Sequence, residues 1–177
     1  MPELAEIETV RHRIAKAMKG RRITEIIFEK EDRFLFAFAK PKSVERALVG
    51  VKVIDAGRKG KYFWLELNRQ PWPLFHLGMS GNISIIKPKD KNHSRGWGGP
   101  KLWSESAKDK RIWFSRLLMV LDNGTEVSLT DPRRFGRMWL FGGDPFDQPK
   151  IRSLGPDPLL PGFPAPAELK AKLAKRK

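Results

Sequence analysis

The sequence predicts an α+β protein, mainly β, in which two antiparallel sheets pack face to face as a sandwich beside one long N-terminal helix and short flanking helices. Three observations predict it. Apolar residues recur at three to four residue steps only near the start; from about residue 22 the pattern changes to period two or to short apolar runs; and turn residues punctuate those runs. With 40% hydrophobic and 31% charged residues in a chain of 177, there is enough apolar material for one core of ordinary size.

Each element follows in order. Leu4, Ile7, Val10, Ile14 and Met18 fall on one stripe, with Arg11, Arg13 and Lys16 away from it, which predicts a helix over about 4–19. Its early acids (Glu3, Glu6, Glu8) and its Lys19–Gly20 exit suit the helix dipole and the usual stop. RITEIIFEK, DRFLFAFAK, VKVIDAG, KYFWLEL, PLFHLGMS, ISIIK, WFSRLLMVL, TEVSLTD and RMWLFGG read as strands, with a short helix begun by Ser43 between the second and third and a tight hairpin turn at Asp122–Gly124. The polar stretch 87–110 is long for a loop and reads as a mobile insertion. Residues 1–145 are therefore expected to form the sandwich domain, and 146–177 a proline-rich linker running into a short basic helix.

Charge narrows the function. Thirty-five Lys and Arg against 20 Asp and Glu leave a formal net charge of +15, which points to a polyanionic partner, although the terminal KAKLAKRK supplies several of the cations and a plain solubility role fits part of the excess. No apolar run reaches the ~18 residues of a membrane span and no secretory signal opens the chain, so an intracellular protein without membrane partners is expected. The chain has no cysteine and only three scattered histidines, His12, His76 and His93, so neither a metal site nor another cofactor is expected.

Several residues have both a structural and a chemical reading. Pro2 suits the first position of a helix; with Met1 removed it would instead be a free secondary amine able to attack an aldehyde-like carbon and form a Schiff base. Glu3 is a helix-dipole partner or a proton shuttle beside that amine. Arg58, Lys59 and Lys61 at a strand entrance are ordinary strand-end charges or a phosphate site. Met79, between glycines in LGMSG, and Arg133, Arg134 and Phe135, in the turn of TDPRRFG, are turn and core residues or wedges for a DNA stack.

Taken in order, PELAEIET, GRKGKY, HLGMSG, TDPRRFG and LGPDPL resemble the bifunctional DNA glycosylase/AP lyase family of formamidopyrimidine-DNA glycosylase and endonuclease VIII, over nearly the whole chain. The resemblance implies base excision repair of double-stranded DNA carrying oxidised bases or abasic sites by a monomer, in the nucleoid of a bacterium or the nucleus of a eukaryote. It also implies catalytic roles. Pro2 matches the nucleophile for C1′, Glu3 the general acid that protonates the opening sugar, and Lys61 a phosphate contact that serves the proton transfers of β-elimination. Met79, Arg133 and Phe135 match the side chains that fill the gap left by an extruded base, Arg134 a DNA-contacting neighbour, and Lys177 a backbone-binding lysine.

Departures accompany the match. Ala5 replaces the second proline of PELPEVET, a helix-compatible change, and Arg116 occupies the place of a family histidine, where an arginine could also reach phosphate. The 87–110 insertion resembles the longer loop of plant and fungal-type members. The family's helix–two-turn–helix domain, with its cysteine zinc hairpin or zincless equivalent, does not follow here, so the chain resembles the N-terminal domain alone. Leu4 and RRFG lean toward oxidised purines (formamidopyrimidines and 8-oxoguanine) rather than the oxidised pyrimidines of the endonuclease VIII type. A non-catalytic damaged-DNA-binding module is the alternative; a basic RNA-binding domain fits the charge but leaves the five motifs unexplained.

Overall fold

A computed structural model describes residues 2–28, 33, 35–88 and 114–174. Most of the 87–110 insertion, Met1 and Lys177 lie outside the described residues. Helix α1 (Leu4–Met18) buries Ile7, Val10, Ile14 and Met18, the stripe that its spacing predicts. Strands β1 (Ile23–Phe28), β6 (Ser115–Leu121), β7 (Glu126–Thr130) and β5 (Asn82–Ile86) form one sheet in the order β1-β6-β7-β5. Strands β2 (Val53–Lys59), β3 (Tyr62–Leu67), β4 (Trp72–His76) and β8 (Arg137–Phe141) form the other, in the order β2-β3-β4-β8. All pairs are antiparallel.

The main core lies between the sheets, where Phe63, Leu65, Phe75, Leu117, Met119, Leu129 and Met138 are buried with the α1 stripe. Each such side chain, taken from water, contributes about 1.5–3 kcal/mol against the chain entropy lost on folding. Helix α1 packs on β2 and reaches β3 and β5, so it touches both sheets. The sheets also join at a corner: Gly20 N donates to Val53 O at 2.8 Å and Ile23 N to Val51 O at 3.0 Å. The expected hairpin turn is present, with Gly124 at φ 74° donating its N–H to Leu121 O at 2.8 Å.

Two sequence expectations are corrected. DRFLFAFAK is not a strand where it is described: residues 35–38 form turns, and consecutive Leu35 and Phe36 are both buried, which strand alternation would forbid on a half-buried sheet. Phe36 meets Phe28 of β1 edge-on at 5.4 Å, and Leu35 O accepts from Met138 N of β8 at 3.1 Å, so the segment ties one sheet to the other. Helix α2 (Pro41–Leu48) starts before Ser43, because Pro41 has its φ already set for the first turn and needs no N–H there.

The outer face of the second sheet is covered too. Trp64, Leu74, Phe141 and Ile151 form a second apolar cluster, which explains why β3 buries Phe63, Trp64 and Leu65 in succession. Ile151 belongs to the short helix α3 (Pro149–Arg152), and Asp157 beyond it is also buried. The stretch expected to be a linker is thus anchored as far as Asp157, before helix α4 (Pro166–Ala174).

Candidate active site and nucleic-acid interface

The site is assembled by strand register. Tyr62 of β3 pairs with His76 of β4, which pairs with Arg137 of β8, so these three residues form one row across the end of the second sheet. Lys61 immediately precedes that row on β3, the LGMSG turn immediately follows it on β4, and the TDPRRFG turn immediately precedes it on β8. Three motifs far apart in the sequence therefore emerge at one end of one sheet.

Lys61 occupies the β2–β3 turn after Gly60, whose φ of 58° lies in the left-handed region that glycine tolerates best. Its Nζ is 2.9 Å from the Glu3 carboxylate at the start of α1. Glu3 is the N-cap, with extended backbone at φ -94° and ψ 178°, and its N–H donates to Glu6 Oε2 at 2.7 Å. Pro2 consequently precedes the cap. It is not the first helical residue, which corrects the structural reading of this proline: its fixed φ is not spent on starting the helix.

His76, which the sequence reading left without a role, faces the same place. Its Nδ1 accepts from Gly78 N at 3.1 Å, so the proton of the neutral ring is on Nε2. Burial, then the charges of Lys61, Arg137 and Lys150, push its pKa below the usual 6.5, keeping the ring neutral at pH 7. The signal that could have found it is its place in HLGMSG, two residues before Gly78.

The two candidate wedge turns are locked to each other. Asp131 is buried, and its carboxylate accepts from Ser80 Oγ at 2.6 Å, Gly136 N at 2.6 Å and Arg133 N at 3.2 Å. Gly78, at φ 65°, lies so close to Phe135 that an added Cβ would stand 2.4 Å from the Phe135 carbonyl carbon. On this frame Met79 and Phe135 remain 45% and 42% exposed. The Arg133 guanidinium lies over the Phe135 ring at 5.0 Å. Arg134 adopts φ 58°, a conformation costly for a residue with a Cβ, and its carbonyl accepts from Arg137 Nη1 at 3.0 Å.

Two expected anion contacts are turned inward instead. Arg116 is only 6% exposed and donates from Nε to the Asp131 carbonyl at 2.9 Å, bracing the wedge turn from behind. Arg58 is equally buried, on Asp157 and Glu8, so of the three strand-entrance cations it is not available to phosphate. Among the described residues no group of three His, Cys, Asp or Glu is placed to hold a metal ion, and no helix is long and apolar enough to cross a membrane.

Residues 1–138 match the formamidopyrimidine-DNA glycosylase N-terminal domain. The chain belongs to that family. It is 34% identical over 180 residues to the formamidopyrimidine-DNA glycosylase of Arabidopsis thaliana, covering 100% of this chain and 43% of the relative. It is 35% identical over 178 residues to that of Rhodopseudomonas palustris strain BisB18, covering 100% and 57%. It thus spans about half the length of the curated formamidopyrimidine-DNA glycosylases that it matches. The fold agrees with that of Lactococcus lactis formamidopyrimidine-DNA glycosylase bound non-covalently to DNA containing an AP site, with a TM-score of 0.59, 23% identity and coverage of 78% of this chain and 45% of that one. It agrees equally with MutM in complex with DNA containing carbocyclic 8-oxo-G, with a TM-score of 0.60 and 24% identity over 79% and 44%.

Proposed function

We propose that this domain carries the catalytic half of a DNA glycosylase with AP-lyase activity, which removes oxidised purines in base excision repair wherever the cell keeps its DNA. One observation carries the reading: Lys61 Nζ stands 2.9 Å from Glu3, next to a proline that lies outside the helix it precedes. After loss of Met1 the Pro2 nitrogen forms a bond to C1′ as the damaged base leaves, and Glu3 protonates the sugar oxygen as the ring opens to the Schiff base. Lys61 holds the adjoining phosphate and serves the proton transfers of elimination, with neutral His76 offering its Nε2–H alongside.

The exposed Met79 and Phe135, with Arg133 on the Phe135 ring, suit the space left when a nucleotide swings out of the duplex; unstacking costs a few kcal/mol, which inserted side chains partly offset. Residues 1–145 supply this chemistry, and 146–177 lead toward a second DNA-binding domain of the kind that the longer relatives have room for. Lys177 and Arg134 would then contact the DNA backbone.

Borohydride trapping on DNA with an abasic site tests the proposal. The expected product is one covalent complex, mapped by mass spectrometry to Pro2 of the Met1-processed chain. Attachment at a lysine would overturn Pro2 as the nucleophile, and binding to the same DNA with no trapped product would leave only a damaged-DNA-binding module.

A further inference from the structure

The Lys61–Glu3 pair does not hold itself in place. The Lys61 side chain is 30% exposed and that of Glu3 66%, and an ion pair so open to water is too weak to fix its own geometry. Its geometry has to be set from beneath. Directly below the hairpin tip are two buried charges, Arg58 and Asp157, whose side chains are 1% and 2% exposed.

Three of the five polar side-chain atoms of this pair, Arg58 Nε and Nη1 and Asp157 Oδ2, bond the two elements that meet at the site. Asp157 Oδ2 accepts from Arg58 Nη1 at 2.5 Å and from the Gly60 amide at 2.7 Å, while Oδ1 accepts from Arg58 Nη2 at 3.2 Å and the Leu159 amide at 2.9 Å. Arg58 Nη1 also donates to Gly60 O at 3.2 Å, so the residue before Lys61 is held by both its N–H and its carbonyl. The remaining Arg58 nitrogen, Nε, donates to Glu8 Oε2 on α1 at 2.7 Å, and Glu8 is itself paired with Arg11. Leu154 closes over Gly60, where an added Cβ would meet its Cδ1 at 2.9 Å.

We propose that Arg58 and Asp157 are positioning residues, a buried clamp in which one guanidinium fixes the Gly60–Lys61 hairpin tip and the N-terminal half of α1 relative to each other, and so sets Lys61 against Glu3. The catalytic meaning of that pair rests on the glycosylase reading; the clamp itself rests on the contacts above. Burying two charges is rarely the most stabilising choice for a site, and apolar residues of similar size often serve stability as well. What apolar residues cannot do is hold the Gly60 amide and Glu8 at the same time. The acid comes from a segment 99 positions along the chain, so the clamp also makes the stretch after the sandwich part of the site's foundation.

The test uses the full 177-residue chain with Arg58→Met and Asp157→Leu combined, which leaves no unpaired buried charge from the pair. A cooperative melt and protected Phe63 and Leu65 amides are expected to survive. Exchange of the Gly60 amide should quicken at least about tenfold, since its acceptor is gone. The NOE between the Lys61 and Glu3 side chains should vanish, and borohydride trapping at saturating DNA should slow at least about tenfold, as displaced reacting groups require. Should the double variant not fold, Arg58→Lys, whose single ammonium cannot reach Asp157, Gly60 O and Glu8 in the same fork, is read by the same NOE and trapping rate. A folded variant that keeps Gly60 protection and the NOE overturns the clamp. If the unaltered chain forms no trapped complex while the exchange and NOE respond as stated, the clamp stands and the glycosylase reading falls.

Discussion

Ser80 and Asp131, 51 positions apart, share a hydrogen bond of 2.6 Å that fastens the turn bearing Met79 to the turn bearing Phe135. Asp131→Ala would strand two donors, Ser80 Oγ and the Gly136 amide, and leave the Arg133 amide only its 3.3 Å bond to Ser80 Oγ. Each unsatisfied buried donor costs about 1–3 kcal/mol, so a loss of a few kcal/mol in urea denaturation is expected, with Ser80→Ala costing about 1 kcal/mol. A loss below that of Ser80→Ala would mean that water replaces the carboxylate and that the turns are not coupled through it.

Met79→Ala and Phe135→Ala should behave in the opposite way. Both side chains project from the braced turns, so Met79→Ala should alter stability by no more than about 0.5 kcal/mol, as at ordinary surface positions, and Phe135→Ala by up to about 1 kcal/mol with the loss of the Arg133 cation–π contact. Binding to lesion DNA should weaken, and the fluorescence rise of a 2-aminopurine placed at the extruded position should shrink. Unchanged fluorescence with reduced stability would return both residues to a purely structural role.

Gly78→Ala sets a Cβ against the Phe135 backbone in a left-handed conformation at φ 65°. Neither partner is a flexible side chain end, so the turn must move; a destabilisation of about 1–3 kcal/mol is expected from the backbone conformation alone. Thermal melting measures it, and a neutral result would show that the two turns can separate without cost.

Acid should weaken the fold through the clamp. Burial pushes the Asp157 carboxyl up, but hydrogen bonds from Arg58, Gly60 and Leu159 outweigh it and hold the pKa below 3.8. The Arg11 hydrogen bond, working against burial and aided by Arg58, likewise holds Glu8 below 4.5. A carboxyl with a lowered folded pKa contributes stability that is complete above its unfolded value and is lost as pH falls through its folded value. His76, lowered below 6.5 mainly by burial, acts in the same direction over a higher range. Melting temperatures between about pH 3 and 7 should therefore fall toward acid, less steeply for the paired Arg58→Met, Asp157→Leu variant. Parallel curves would assign the clamp no share of the acid sensitivity.

Local patterns in this chain are legible where a single period dominates. The α1 stripe, most strands and the Asp122–Gly124 turn follow from spacing and turn chemistry. Legibility ends where a residue's surroundings come from far along the chain. Nothing near Arg58 shows that Asp157 will bury it, and nothing near Arg116 shows that it will be spent on the Asp131 carbonyl. FLFAFA has the composition of a strand, yet Leu35 and Phe36 pack in succession because they bridge two sheets rather than line one. His76 became meaningful only once strand pairing set it beside Tyr62 and Arg137.

The bracing of Met79 and Phe135 has a kinetic corollary. A turn that is already braced surrenders little backbone freedom if its side chains enter a duplex as proposed, so that part of the ordering entropy is settled during folding. If these side chains enter DNA as proposed, the search would run at the pace at which the duplex yields, and dwell time would separate a weakened pair from a sound one.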